Sequence, residues 1–247
     1  MTKKLEICCY TAESAILSEK AGADRIELCD NFSEGGTTPS YGTIKYLTKK
    51  LSIPLHVIIR PRGGDFLYDN AAFEIMRQEV IDMKKLGVHG IVFGVLTATG
   101  EIDVERSQEI LELAAPMDQT FHRAFDMTKN QLASLEKLKL LGVNRVLTAG
   151  GKNNANEGIG LLSKLVEAAE NQLIVMPGGG INEKTIGEII QRTGASEFHA
   201  SAKTFVKSKM NFHNPAIKMG KSDHIDEYKK ISVNAQQIYT MNKILKT

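Results

Sequence analysis

The stretch that decides the fold is Gly22-Ala23-Asp24-Arg25-Ile26-Glu27-Leu28-Cys29. Its pattern returns as Gly87-Val88-His89-Gly90-Ile91-Val92-Phe93-Gly94, as Gly142-Val143-Asn144-Arg145-Val146-Leu147-Thr148-Ala149, and as Gly194-Ala195-Ser196-Glu197-Phe198-His199-Ala200-Ser201. Each copy has a glycine, a small residue, two linking residues and a β-prone run. Glycine tolerates the left-handed conformation that closes a helix. A continuous apolar run after it reads as a buried parallel strand. The copies begin 65, 55 and 52 residues apart. A βα unit needs about 30 residues or somewhat fewer, so each interval holds two units.

The strands between the copies are expected at Leu5–Cys9, Leu55–Arg60, Gln119–His122 and Leu173–Met176. Helical patterns separate them at Ala12–Ala21, Ala71–Leu86, Gln131–Leu141 and Ile159–Ala169. Eight strands alternating with helices imply a parallel sheet. Eight units in 247 residues favour an α/β fold of the closed (β/α)8, or TIM, barrel type. The barrel is expected over 1–205. A polar C-terminal extension, 206–247, would pack on the barrel or at a dimer interface, ending in a short helix near Val233–Leu245.

Composition narrows the setting. Hydrophobic residues make up 42% and charged residues 24%, with a net charge of +2. That balance gives no electrostatic case for nucleic acid, which needs a clustered basic face. No run approaches the roughly 20 apolar residues of a membrane helix. The apolar run after Met1 is too short for the core of a signal peptide. The three cysteines, Cys8, Cys9 and Cys29, form no secreted disulfide framework, so a reducing cytosol is expected.

Strand alternation places the chemistry. Residues two apart share a face, so Glu6 and Cys8 face the barrel interior, as do Glu27 and Cys29. Leu5, Ile7, Cys9, Ile26 and Leu28 then face the helices. Glu-x-Cys occurs on both strands at a spacing of 21. Two cysteines at similar height suit a soft metal such as Cu(I), a disulfide, or plain packing by small side chains. Arg60 is in phase with His56 and Ile58; His122 ends strand five and Arg123 follows it; Glu197, His199 and Ser201 share a phase on strand eight. Glu6, Glu27, Arg60, His122 and His199 therefore converge as catalytic candidates. In the enzyme reading Glu6 or Glu27 is the base, His122 or His199 the acid, and Arg60 or Arg123 stabilises negative charge. Arg62, Asp65, Arg123 and Lys152 stand on rim loops. Gly178, Gly179 and Gly180, expected to open a helix, offer N–H groups to a small anionic ligand. A structural ion-pair network and ordinary tight turns are the plain alternatives.

The phrases LEIC at 5–8, AGADRIELC at 21–29, EGGTTPSYG at 34–42, VIIRPRGGDFLY at 57–68, TFHRAFD at 120–126, RVLTAGG at 145–151 and GGGI at 178–181 together resemble the CutC family, known as copper homeostasis proteins. The resemblance implies a (β/α)8 barrel, a cytoplasmic location, a homodimer and a role in copper handling. It also implies that Cu(I) is carried by the cysteines of the Glu-x-Cys phrases, here Cys8 and Cys29. A TIM-barrel enzyme acting on a small anionic or phosphorylated metabolite is the competing reading of the same mouth.

Overall fold

Four glycines set the period of the chain, and all four adopt the left-handed conformation: φ is 99° at Gly22, 72° at Gly87, 74° at Gly142 and 69° at Gly194. Each turns the chain from a helix into a strand. The computed structural model describes residues 3–217, 219 and 226–247. Its elements run β1 (Lys4–Cys9), α1 (Ala12–Lys20), β2 (Arg25–Leu28), α2 (Tyr41–Leu47), β3 (Leu55–Ile58), α3 (Asn70–Leu86), β4 (Gly90–Phe93) and α4 (Val104–Ala114). They continue as β5 (Asp118–Phe121), α5 (Gln131–Leu141), β6 (Arg145–Thr148), α6 (Ile159–Ala168), β7 (Ile174–Pro177), α7 (Ile186–Thr193) and β8 (Glu197–Ala200). After β8 come β9 (Lys203–Lys207), β10 (Lys229–Val233) and α8 (Ala235–Lys246).

The eight parallel strands lie in the order β7-β6-β5-β4-β3-β2-β1-β8. Only the β7–β8 seam lacks a ladder; the two strands pack side by side there and nearly close the barrel. Helix starts follow local chemistry. Asp69, Asp103, Asn130 and Asn234 each accept a backbone N–H from the first turn of the helix they precede, the side-chain cap that satisfies otherwise orphaned donors.

The main apolar core fills the space between strands and helices, where Leu5, Ile7, Cys9, Ile26, Leu28 and Phe198 are buried. Inside the barrel a second, smaller apolar cluster holds Cys8, Cys29, Ile58 and Val92. Strand phase is thus the one that alternation predicts.

The ends of several elements differ from expectation. β3 stops at Ile58, β5 at Phe121, and β7 shifts one residue to Ile174–Pro177. Arg60 and His122 therefore sit just beyond their strands, where the backbone turns into loops. The tail supplies more than an outer cover. β9 and β10 form an antiparallel hairpin. α8 packs on β1, α1 and α7, burying Ile238, Met241 and Leu245, and so occupies the eighth helical position of the ring.

Candidate functional site

Register sets the heights of the interior side chains. β1 pairs with β2 as Glu6↔Arg25 and Cys8↔Glu27, and with β8 as Glu6↔His199. The equal spacing of the two Glu-x-Cys phrases suggests level cysteines. In the barrel the strands are sheared, as closure requires, so Cys29 stands one inward step above Cys8. The diagonal still brings the sulfurs together: Cys8 Sγ and Cys29 Sγ are 3.6 Å apart, buried, and both thiols are free.

Below the thiols lies an ionic floor. Arg25 Nε donates to Glu6 Oε2 at 2.6 Å, and Arg25 Nη2 to Glu197 Oε2 at 2.5 Å. Arg145 Nε reaches the same Glu197 oxygen at 3.1 Å, and its Nη2 meets Asp118 at 3.2 Å. In the repeated phrase Arg25 and Arg145 look like mere linking residues. The signal was present: each lies two residues before an inward-facing position, Glu27 and Leu147. Burial opposes ionisation of Glu6, but Arg25 and the His199 ring hold its carboxyl well below the usual range.

Glu6 also orients the next layer. His199 Nδ1 lies 2.7 Å from Glu6 Oε1, and His199 Nε2 lies 3.7 Å from Glu27 Oε2. Donor atoms of Cys8, Glu27 and His199 all fall within 4.8 Å of one another. Burial disfavours the imidazolium, yet the Glu27 and Glu6 carboxylates and Cys8 together raise the His199 pKa well above its ordinary value. The hydrogen bond with Cys29 and the nearby His199 hold Cys8 low. Cys29, the partner in that bond, is pushed up, and burial raises it further. Burial and the Cys8 sulfur push Glu27 up as well. Cys9 faces Ser18 on the helix side, 3.3 Å away, and has no part in the cluster.

Above these groups opens a cavity of about 450 Å³, lined among others by Cys8, Tyr10, Glu27, Arg60, Phe66 and His122. Arg123, Gly179, Gly180 and His199 complete its charged and glycine-rich wall. Arg62, Asp65, Lys152 and Gly178 do not line it. Arg62 and Asp65 pair with each other on an exposed loop at 2.8 Å. Lys152 is exposed, and its carbonyl accepts from Arg123 Nη2 at 2.8 Å. The Gly178 N–H is committed to Thr148 O at 2.9 Å. The glycine loop does not open directly into a helix, since α7 begins only at Ile186. Gly178 has another role: a Cβ there would sit 2.4 Å from Leu147 Cδ1 and 3.1 Å from His199 Cβ, so its bareness lets the β7–β8 seam close.

Arg60 and His122 are fixed by backbone. Arg60 Nη1 donates to Glu34 O at 2.7 Å and Gly36 O at 2.6 Å, and Nη2 donates to Gly64 O at 2.8 Å. His122 Nδ1 accepts the Ala124 N–H at 3.1 Å. Burial, with help from Arg60, lowers the His122 pKa to about 3. The ring is therefore held in its neutral form at neutral pH.

One further carboxyl braces this wall. Glu79 on α3 accepts from the Thr38 hydroxyl at 2.8 Å, and Thr38 Oγ1 accepts the Arg60 N–H at 2.8 Å. Burial pushes the Glu79 pKa up to about 7. A raised folded-state pKa favours the protonated native form. That contribution is complete below the unfolded value near 4.3 and is lost as pH rises through about 7. Glu79→Gln is expected to be more stable than the parent at pH 8 by about 1–2 kcal/mol, after discounting for partial exposure, and equal to it near pH 4. Urea midpoints at the two pH values check this; equal midpoints at pH 8 contradict it.

This architecture defines a TIM-barrel protein whose mouth carries a thiol–imidazole–carboxylate cluster above a buried ionic floor. The chain belongs to the CutC family, whose model matches residues 3–204. It is 43% identical over 242 residues to the human copper homeostasis protein cutC homolog, covering 98% of this chain and 89% of that one. It is 44% identical over 241 residues to a family protein CutC of Parabacteroides distasonis, covering 96% and 98% of the two chains. Among solved structures, the CutC protein of Streptococcus agalactiae superposes with a TM-score of 0.75 at 36% identity, over 80% of this chain and 97% of that one. A phosphoribosylanthranilate isomerase from Thermotoga maritima matches at a TM-score of 0.60 but 12% identity, over 99% and 98% of the chains, a likeness of fold alone. Among the described residues no helix is long and apolar enough to cross a membrane.

Proposed function

We propose that this CutC-family protein works in copper homeostasis by holding Cu(I) between Cys8 and Cys29 at the base of the barrel mouth. The observation that carries the reading is the pair of free, buried sulfurs 3.6 Å apart. Thiolates are the soft ligands that Cu(I) favours. His199, within reach of Cys8, would be the third donor once its ring gives up the proton that the neighbouring carboxylates hold on it. The names of relatives such as the human copper homeostasis protein cutC homolog point the same way. Free thiols in this arrangement fit a reducing cytoplasm. The homodimer implied by the family resemblance belongs to the same proposal.

Anaerobic competition against a Cu(I) chelator tests it. The parent should bind stoichiometric Cu(I), and Cys8→Ser or Cys29→Ser should weaken binding by roughly a hundredfold or more, since even outer-sphere changes cost 10–100-fold. Unchanged affinity in the double variant removes the proposal.

A second reading is favoured by a separate observation: a cavity of about 450 Å³ is far larger than a metal ion needs and falls in the range of small-molecule sites. In it the mouth belongs to an enzyme acting on a small anionic or phosphorylated metabolite, with Glu27 and His199 moving protons. Native mass spectrometry of freshly purified protein separates the two readings by the mass retained, copper or an organic molecule.

A further inference from the structure

Arg60 is buried, at 5% exposure, and among the described residues no carboxylate pairs with it. Its Nη atoms are taken by three backbone carbonyls; its buried Nε–H makes no well-formed hydrogen bond, and the one neutral acceptor within its reach is the buried Tyr68 hydroxyl. Carbonyls satisfy the N–H groups but leave the positive charge without a counter-ion. The other arginines of this region differ: Arg25 and Arg145 pair with Glu6, Glu197 and Asp118, and Arg123 pairs with Asp126 at 2.7 Å. Burying an uncompensated charge is costly.

His122 stands on the same cavity wall, just after β5, and is likewise 5% exposed. A backbone N–H can only donate, so the Nδ1 that receives the Ala124 N–H carries no proton. The proton of the neutral ring is therefore on Nε2, and that buried Nε2–H has no partner. Buried orphan donors are rare, because each leaves its desolvation uncompensated. The ring cannot easily turn away. A Cβ on Gly94 would lie 2.6 Å from its Cε1 and Nδ1, so the ring presses on bare backbone. Phe66, with its centroid 4.9 Å from that of His122, covers another side and also carries the Arg60 guanidinium 5.1 Å over its ring.

Two fixed side chains, one of them a cation with no counter-ion, thus line one cavity with Phe66 between them, their unpartnered N–H groups just beneath its surface. We propose that Arg60 and His122 form an oxyanion subsite, in which an anionic oxygen group of a small organic ligand, a carboxylate or a phosphate, accepts the Nε2–H of His122 and neutralises Arg60. This rests on the second reading above, that the mouth takes a small anionic molecule, and is independent of copper at the thiols. β5 lies four places from β1 in the ring of strands. His122 would hold the ligand's charged end on the side away from Cys8, while Arg60, only two strands from β1 and bonded to the Gly36 carbonyl, would stand nearer the thiols.

The full-length protein, ¹⁵N-labelled at histidine, is titrated separately with inorganic phosphate and with malonate, followed by long-range ¹H–¹⁵N spectra and calorimetry. The expected result is a shift of the His122 Nε2–H signal with one of the two anions, which identifies the group. Affinity for that anion should fall about tenfold or more in His122→Phe, the loss of one charge-assisted hydrogen bond. Gly94→Ala, which displaces the ring, should weaken binding in the same direction. If an anion binds while the His122 signals stay fixed, or His122→Phe binds equally well, the subsite is wrong and the metabolite reading survives. If neither anion binds the parent protein, both fall. The spectra of the parent alone decide the matter should His122→Phe fail to fold.

Discussion

Arg25→Met is expected to destabilise the protein by about 3–5 kcal/mol, the cost of removing one partner from a buried ion network. The side chain is 4% exposed and bridges Glu6 and Glu197, which are equally hidden. Methionine fills similar volume, so the loss comes from charge and not from a cavity. Without Arg25, Glu6 keeps only His199, and Glu197 keeps only Arg145. The measurement is the urea midpoint at pH 7. A change below 0.5 kcal/mol, the ordinary surface range, would mean that the floor is not the ionic core of the barrel. The same substitution should disturb the layer above, because Glu6 carries His199 and His199 faces the thiols. A weaker grip on Cu(I) or ligand in a variant that remains folded is the corollary.

The second large effect is loss of stability in acid. His56 and His122 are both buried, and both have pKa values lowered to about 3. For His56 burial is the main cause, and Arg25 and Arg145 add to it against the opposing Glu6 and Asp118; for His122 burial acts with Arg60. An unfolded histidine titrates near 6.5. The folded state therefore refuses a proton that the unfolded chain accepts. The stabilisation is complete above about pH 6.5 and is lost as pH falls toward 3. At pH 4 the loss reaches about 3 kcal/mol per histidine as an upper figure. Urea midpoints between pH 7 and pH 4 follow it. His122→Phe should remove one proton from the slope, about 1.4 kcal/mol per pH unit. An unchanged slope in that variant would show that His122 is not held neutral.

These histidines also show how sequence and structure divide the explanation. Gly90, which opens the fourth strand, and Gly94, just after it, read as members of a repeat. Their specific use appears only in space: a Cβ on Gly90 would lie 2.6 Å from His56 Nε2, and one on Gly94 would lie 2.6 Å from His122. Each of these glycines, at the two ends of β4, leaves room for a histidine of a neighbouring βα unit, His56 on β3 and His122 just after β5. No linear pattern records this, because each pairing joins residues from different βα units.

The four glycine-led phrases, the count of strands and the alternation of side chains were legible in the order of residues. They follow from short-range physics: a left-handed turn at glycine, a buried parallel run, a two-residue period. From these alone Glu6, Cys8, Glu27 and Cys29 could be placed inside the barrel, and Cys9 outside. What only the tertiary structure decided is which of those groups meet. Shear between β1 and β2 staggers the cysteines yet leaves their sulfurs 3.6 Å apart. Closure brings Glu197 of β8 to Arg25 of β2 and Arg145 of β6. Packing also sends the tail back as α8, between α7 and α1. Local preference is written along the chain, whereas register, shear and closure are settled only when all eight strands pack together.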